Sequence, residues 1–96
     1  MRDFVGEQYL SAGDTDVAAR RARAARDVCE QLLMEGTLVR YVRSIFIPED
    51  ETCLHLYRAE SIEAVRTAAA QASLRLERVT EAIIDEGTSD DRPRAM

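Results

Sequence analysis

The run from Arg40 to Tyr57 limits the fold of this chain more than any other. Two β-rich segments, Arg40-Tyr41-Val42-Arg43-Ser44-Ile45-Phe46-Ile47 and Thr52-Cys53-Leu54-His55-Leu56-Tyr57, flank the polar link Pro48-Glu49-Asp50-Glu51. Such a short polar link between β-branched and aromatic runs predicts a hairpin. Pro48 suits the second position of a type I turn, because its φ is already close to the required value. If Ile47 pairs with Thr52, then Phe46 faces Cys53, Ile45 faces Leu54, Ser44 faces His55 and Val42 faces Tyr57. Directly opposed residues share a sheet face. A slip of one residue would turn the first strand over.

The remaining elements fall into place around this hairpin. Phe4 to Leu10 predicts a first strand, with Phe4, Gly6, Gln8 and Leu10 on one face and Val5, Glu7 and Tyr9 on the other. Gly6 marks a close approach, expected from a helix. After the turn Ser11-Ala12-Gly13, Asp14 or Thr15 can cap a helix running to about Glu35. Ala18, Ala22, Ala25, Cys29 and Leu32 form its apolar stripe, widened by Val28 and Leu33. Gly36 stops it. Leu38 to Ile47 and Thr52 to Ala59 are the hairpin strands. Ser61 caps a second helix of about Ile62 to Ala72, and Arg78 to Ile84 is a last strand. The predicted order is β-α-β-β-α-β. Its simplest closure is an α+β, ferredoxin-like sandwich, a four-stranded antiparallel sheet with two helices on one face. Residues 1–85 make one domain, and 86–96 are a polar tail whose composition predicts disorder.

A chain of 96 residues with a net charge of −5 lacks the clustered positive charge that phosphate contact needs, which argues against nucleic acid. The same balance argues against an anionic membrane surface. Arg20, Arg21, Arg23 and Arg26 alternate with Asp16, Asp27 and Glu30 at helical spacing, as on a solvated helix face. The cysteines, Cys29 and Cys53, stand apart among apolar neighbours and suit reduced, structural thiols. The opening Met1-Arg2-Asp3-Phe4 leads straight into a strand-like run instead of a signal-peptide apolar region. That predicts a cytoplasmic home.

Two helices on one side leave the other side of the sheet open. The assumed register puts Val42, Phe46, Cys53 and Tyr57 there, joined by Val5 and Tyr9. That is too apolar a surface for water and predicts a contact site. A two-fold homodimer, open face against open face, would cover it. Between the sheets a cavity lined by Glu7, Tyr9, Ser44, His55, Tyr57 and Glu81 would hold a ligand. A neutral imidazole can ligate a metal or carry a proton near neutral pH, so His55 and Glu7 are the candidate metal ligands. The competing account of His55 is a strand histidine bonded to Ser44 or water. Glu7 needs a partner, from Arg40, Arg43 or a bound cation.

The segment Arg40-Tyr41-Val42-Arg43-Ser44 followed by Phe46-Ile47-Pro48-Glu49-Asp50-Glu51-Thr52-Cys53 resembles a family of small bacterial proteins, filed as a domain of unknown function and often labelled nickel-binding protein. Glu7-x-Tyr9-Leu10, Ala59-Glu60-Ser61 and Leu74-x-x-x-Arg78-x-x-Glu81 extend the likeness over roughly residues 4 to 84. The resemblance implies a ferredoxin-like sandwich, dimerisation and nickel, or another divalent metal, as ligand. The chain departs from the family at Gly6, where a larger apolar residue is usual, and at Ser73, where a glycine ends the helix. It departs again at His55, where cysteine or an apolar residue is common.

No phosphate-binding glycine loop, serine elbow or H-E-x-x-H motif is present, and no catalytic residue is assigned. The expected function is therefore a small dimeric binding protein that holds a divalent metal ion or small ligand between its sheets. One alternative is a dimeric α+β barrel enzyme, a small isomerase or cofactor-free oxygenase, with His55 as base. The other is a structural or regulatory module with no ligand.

Overall fold

The computed structural model describes residues 1–85; the tail expected over 86–96 lies outside them. In chain order the elements are β1 (Arg2–Tyr9), α1 (Thr15–Met34), β2 (Val39–Ile47), β3 (Thr52–Ala59), α2 (Ile62–Gln71) and β4 (Arg78–Ala82). The strands form one antiparallel sheet in the order β2-β3-β1-β4. The α+β class and element order match the expectation. β4 ends two residues earlier than expected, at Ala82 opposite Asp3.

Alternation along β1 and β3 decides which face is covered. Phe4, Gln8, Cys53, His55, Tyr57 and Ala59 are buried, while Val5, Leu54 and Leu56 between them are only partly so. The core joins Phe4, Val39, Tyr41, Tyr57 and Val79 of the sheet to Ala25, Cys29 and Leu32 of α1 and Ala64, Val65 and Ala68 of α2. Both helices therefore pack on the same face. The α1 stripe is as the periodicity implied, with Ala18, Ala25, Cys29 and Leu32 buried.

Two details of the hairpin differ from expectation. Near the turn the pairing is as assumed, Ile47 with Thr52 through Ser44 with His55. A register shift between Tyr41 and Arg43 then brings Tyr41, not Val42, opposite Tyr57. An extra residue in one strand breaks the period of two, so Val42 and Arg43 both leave the core, and Tyr41 enters it. At the connection, Pro48–Asp50 forms a single 3-10 turn and Glu51 closes it with φ 50°. The Glu51 carboxylate offsets the cost of this left-handed backbone, accepting from the Tyr9 hydroxyl at 3.3 Å and the Ala12 amide at 3.1 Å.

Both helices end in the same device. In α1 the Gly36 and Thr37 amides donate to the Leu33 and Leu32 carbonyls at 3.1 and 2.9 Å, with Gly36 at φ 99°. In α2 the Ser73 and Leu74 amides donate to Ala70 and Ala69 at 3.0 and 2.8 Å, with Ser73 at φ 60°. These are Schellman closures, which need a left-handed residue just past the helix. Glycine meets that need without a Cβ penalty, and serine does not. Replacing Ser73 with glycine is expected to stabilise the fold by about 0.5–1 kcal/mol, read as a higher urea midpoint at unchanged slope. At the helix starts, Ser61 Oγ accepts from the Ala64 amide at 3.1 Å as expected. Asp14 precedes α1 but makes no side-chain cap. Gly6 does mark a close approach, though to Leu76 of the α2–β4 link and not to a helix; a Cβ there would meet Leu76 Cδ1 at 2.6 Å.

Candidate functional site

The residues expected to line one cavity are divided by the sheet. His55 and Tyr57 are wholly buried beneath the helices, and Ser44, paired with His55, shares their face. Glu7 and Tyr9 project from the opposite, open face. Glu81 sits opposite Phe4 at the sheet edge and pairs with Arg2 at 3.2 Å. The single cavity and the His55–Glu7 ligand pair are therefore corrected: a residue and its neighbour one position out of phase cannot meet through a sheet. The partner of Glu7 is also corrected. It is Arg78, at 2.9 Å, and not Arg40 or Arg43.

Beneath the helices lies a polar core. The Tyr41 hydroxyl donates to His55 Nδ1 at 2.8 Å, and His55 Nε2–H donates to Gln8 Oε1 at 2.9 Å. Neither Ser44 nor water is needed to satisfy the ring. Burial, aided by the positive charge of Arg21, lowers the His55 pKa to about 4, so the ring is neutral at pH 7. Burial likewise raises Cys29 to about 11 and Tyr41 to about 12, and it raises Cys53 and Tyr57. Among the described residues, Gln8 Nε2 and the Tyr57 hydroxyl are buried without a partner. The Tyr57 ring packs edge-on against Tyr41, centroids 5.2 Å apart. With both nitrogens committed and no exposed surface, His55 is a structural residue, not a base or ligand open to substrate.

The open face carries a different chemistry. Val5, Leu54 and Leu56 form its centre, and Ile45 and Val42 extend it, exposed by 42% and 37%. Phe46, Cys53 and Tyr57, expected here, belong to the covered face instead. Around the apolar centre run charged pairs, Arg58 with Asp3 at 2.9 Å and Arg78 with Glu7. Arg40 and Arg43 lie on the β2 side. A hollow of about 330 Å³ is lined by Val42, Arg43, Ile45, Leu56 and Arg58, with Ile84 and Asp85 as one wall. At the turn end, a second hollow of about 190 Å³ is bordered by Glu7, Tyr9, Asp50, Glu51 and Glu77.

The sequence matches the family model described as nickel responsive protein SCO4226-like over residues 4–82. The chain belongs to this SCO4226-like family. A crystal structure of SCO4226 from Streptomyces coelicolor A3(2) superposes with a TM-score of 0.72 at 17% identity, covering 86% of this chain and 98% of that one. At that identity the likeness speaks for the fold. No curated protein matches the chain. The SCO4226-like name raises nickel, a cation that takes nitrogen and oxygen donors in octahedral or square geometry. The donors present do not fit it: among the described residues no three or more His, Cys, Asp or Glu side chains are grouped to hold a metal. The one imidazole is engaged on both sides, and the thiols are buried and protonated.

Proposed function

We propose that this chain is a ferredoxin-like homodimeric binding module, whose two copies meet through their open sheet faces and hold a small ligand between them. The single observation behind this reading is the half-exposed apolar surface of Val5, Val42, Ile45, Leu54 and Leu56. An apolar surface of this kind, ringed by charge, is characteristic of a contact site. The two unpaired cysteines suit a cytoplasmic setting. Among the described residues no helix is long and apolar enough to cross a membrane.

Ile45→Asp tests the interface, because Ile45 stands at the sheet edge, where a charge disturbs the fold least. The variant should raise the dimer dissociation constant about a hundredfold, since each copy loses one apolar contact. Sedimentation equilibrium reads this directly. A wild-type chain that remains monomeric at micromolar concentration removes the reading.

Nickel or another divalent metal as the ligand is the second reading, supported by the family's description. With no grouped donors among the described residues of one copy, such a site draws ligands from both copies. Calorimetric titration of tag-free protein with nickel, zinc and calcium tests it. Absence of uptake below about 100 µM counts against a metal role.

A further inference from the structure

A third hollow lies apart from the open face, between α1 and the outer edge of the sheet. It measures about 160 Å³ and is lined by Arg26, Cys29, Glu30 and Leu33 of α1 and by three consecutive residues of β2, Val39 to Tyr41. Neighbours in a strand point to opposite faces, so three in a row border one hollow only along the strand's edge. β2 is an edge strand, paired with β3 alone. The Glu60 amide donates to the Leu38 carbonyl at 3.0 Å. Backbone direction alternates along an antiparallel pair. Arg40 therefore turns its N–H and C=O toward β3, while Val39 and Tyr41 turn theirs to the free edge. The helix adds opposite charges. Arg26 and Glu30, four residues apart, are spaced for an ion pair, yet among the described residues none joins them. The Arg26 guanidinium instead lies over the Tyr41 ring, 5.3 Å from its centroid. That contact holds the cation against the sheet without a carboxylate, and leaves Glu30 without a cation.

We infer that this hollow binds a free α-amino acid with a short, branched apolar side chain. The ligand's carboxylate meets Arg26 and an outward amide of the β2 edge. Its ammonium meets Glu30 and an outward carbonyl of the same edge. Its side chain rests among Cys29, Leu33 and Val39, of which Cys29 and Val39 are buried. A guanidinium can hold a carboxylate through two parallel N–H bonds. A cation and an anion side by side, neither serving the other, match a zwitterion better than a single ion. A plain carboxylate would bring Glu30 a like charge, and a plain ammonium would do the same to Arg26. Size limits the apolar part: a cavity of about 150 Å³ takes a benzene-sized body. A side chain like that of leucine or valine fills such a space, and the charged groups stay at the mouth, where Arg26 and Glu30 are exposed. A residue within a peptide carries neither charge, so the occupant is the free amino acid. The site belongs to one copy and does not depend on the homodimer.

Titration of the full chain with L-leucine, followed by amide NMR shifts, tests this. Isocaproate, which lacks the ammonium, and isoamylamine, which lacks the carboxylate, serve as the paired controls. Leucine should bind with a Kd below about 1 mM and move the Val39 and Tyr41 amides. Each control should bind at least about tenfold more weakly, since each forfeits a charge-assisted hydrogen bond. Arg26→Gln and Glu30→Gln, both on the exposed side of α1, should each weaken leucine by about tenfold for the same reason. Glu30→Gln should also narrow the gap between leucine and isocaproate, because it removes the group that distinguishes them. That narrowing is a change a mere loss of helix stability would not produce. No leucine uptake by the wild type up to about 10 mM overturns the site. Isocaproate bound as tightly as leucine overturns the zwitterion and leaves a plain carboxylate pocket. Leucine bound equally by the wild type and both variants overturns the placement in this hollow.

Discussion

Lowering the pH from 7 to about 4 is expected to remove about 3 kcal/mol of folding stability through His55 alone. The ring is wholly buried and its pKa falls from 6.5 to about 4 in the fold. Its unfolded counterpart keeps the ordinary value. A base whose folded pKa is depressed binds fewer protons when folded, so stability rises with pH across the window between the two values. The contribution is complete above about pH 6.5. It declines as the pH falls through the window and is gone near the folded pKa. The slope cannot exceed about 1.4 kcal/mol per pH unit for one proton. Charging the ring would turn Nδ1 into a donor, so the Tyr41 hydroxyl would have to swing its proton away and accept instead, and a second positive charge would stand near Arg21. Other ionisable side chains also contribute to any acid-induced loss of stability, so the wild-type profile alone does not isolate the histidine. His55→Gln does: its urea-derived stability should be nearly flat between pH 6.5 and 5, where the wild type declines. Parallel profiles for the two proteins over that range would show that His55 is protonated as easily in the fold as out of it.

The same histidine explains why the architecture was legible in the sequence and the site was not. Helix stripes, glycine and serine boundaries and the Pro48–Glu51 connection each depend on near neighbours in the chain, and they gave the element order. Which face of the sheet the helices cover depends on strand parity, and parity was ambiguous here. In β3 both sets are apolar enough for either side: Cys53, His55 and Tyr57 alternate with Leu54 and Leu56. The assumed register sets Cys53, His55 and Tyr57 toward the open face, whereas they lie beneath the helices, where the His55 ring is hydrogen-bonded on both sides. A signal did exist. On the same phase as His55, β1 carries Gln8 next to Leu10, an amide on an otherwise apolar face, and a buried amide calls for a buried polar partner. The bulge in β2 left no comparable mark. No glycine or proline flags the shift at Val42, so Tyr41, the second partner of His55, could not be placed by counting from the turn. Ser73 was the more readable departure, since a residue other than glycine at a helix stop implies strain that the φ of 60° bears out.

Removing the hydroxyl of either core tyrosine changes the same atom, but the two variants should differ in sign or size. Tyr41→Phe leaves His55 Nδ1 buried with an unfilled lone pair, and an orphaned polar group in an apolar setting costs about 1–3 kcal/mol. Tyr57→Phe removes a hydroxyl that is wholly buried and, among the described residues, has no partner. The fold already bears the cost of desolvating that group, so its removal should be neutral or stabilising by up to about 1 kcal/mol. Ring packing survives in both cases, because the edge-on contact of Tyr41 with Tyr57 needs no hydroxyl. Urea midpoints at equal slope separate the two, and a double-mutant cycle with His55→Gln assigns the Tyr41 loss to the hydrogen bond it breaks. The coupling between Tyr41→Phe and His55→Gln should be of the same order as the single Tyr41→Phe loss, and that between Tyr57→Phe and His55→Gln close to zero. Equal losses at the two tyrosines would mean that the Tyr57 hydroxyl is satisfied by an internal water, and the core would then hold a hydrated pocket beside the histidine.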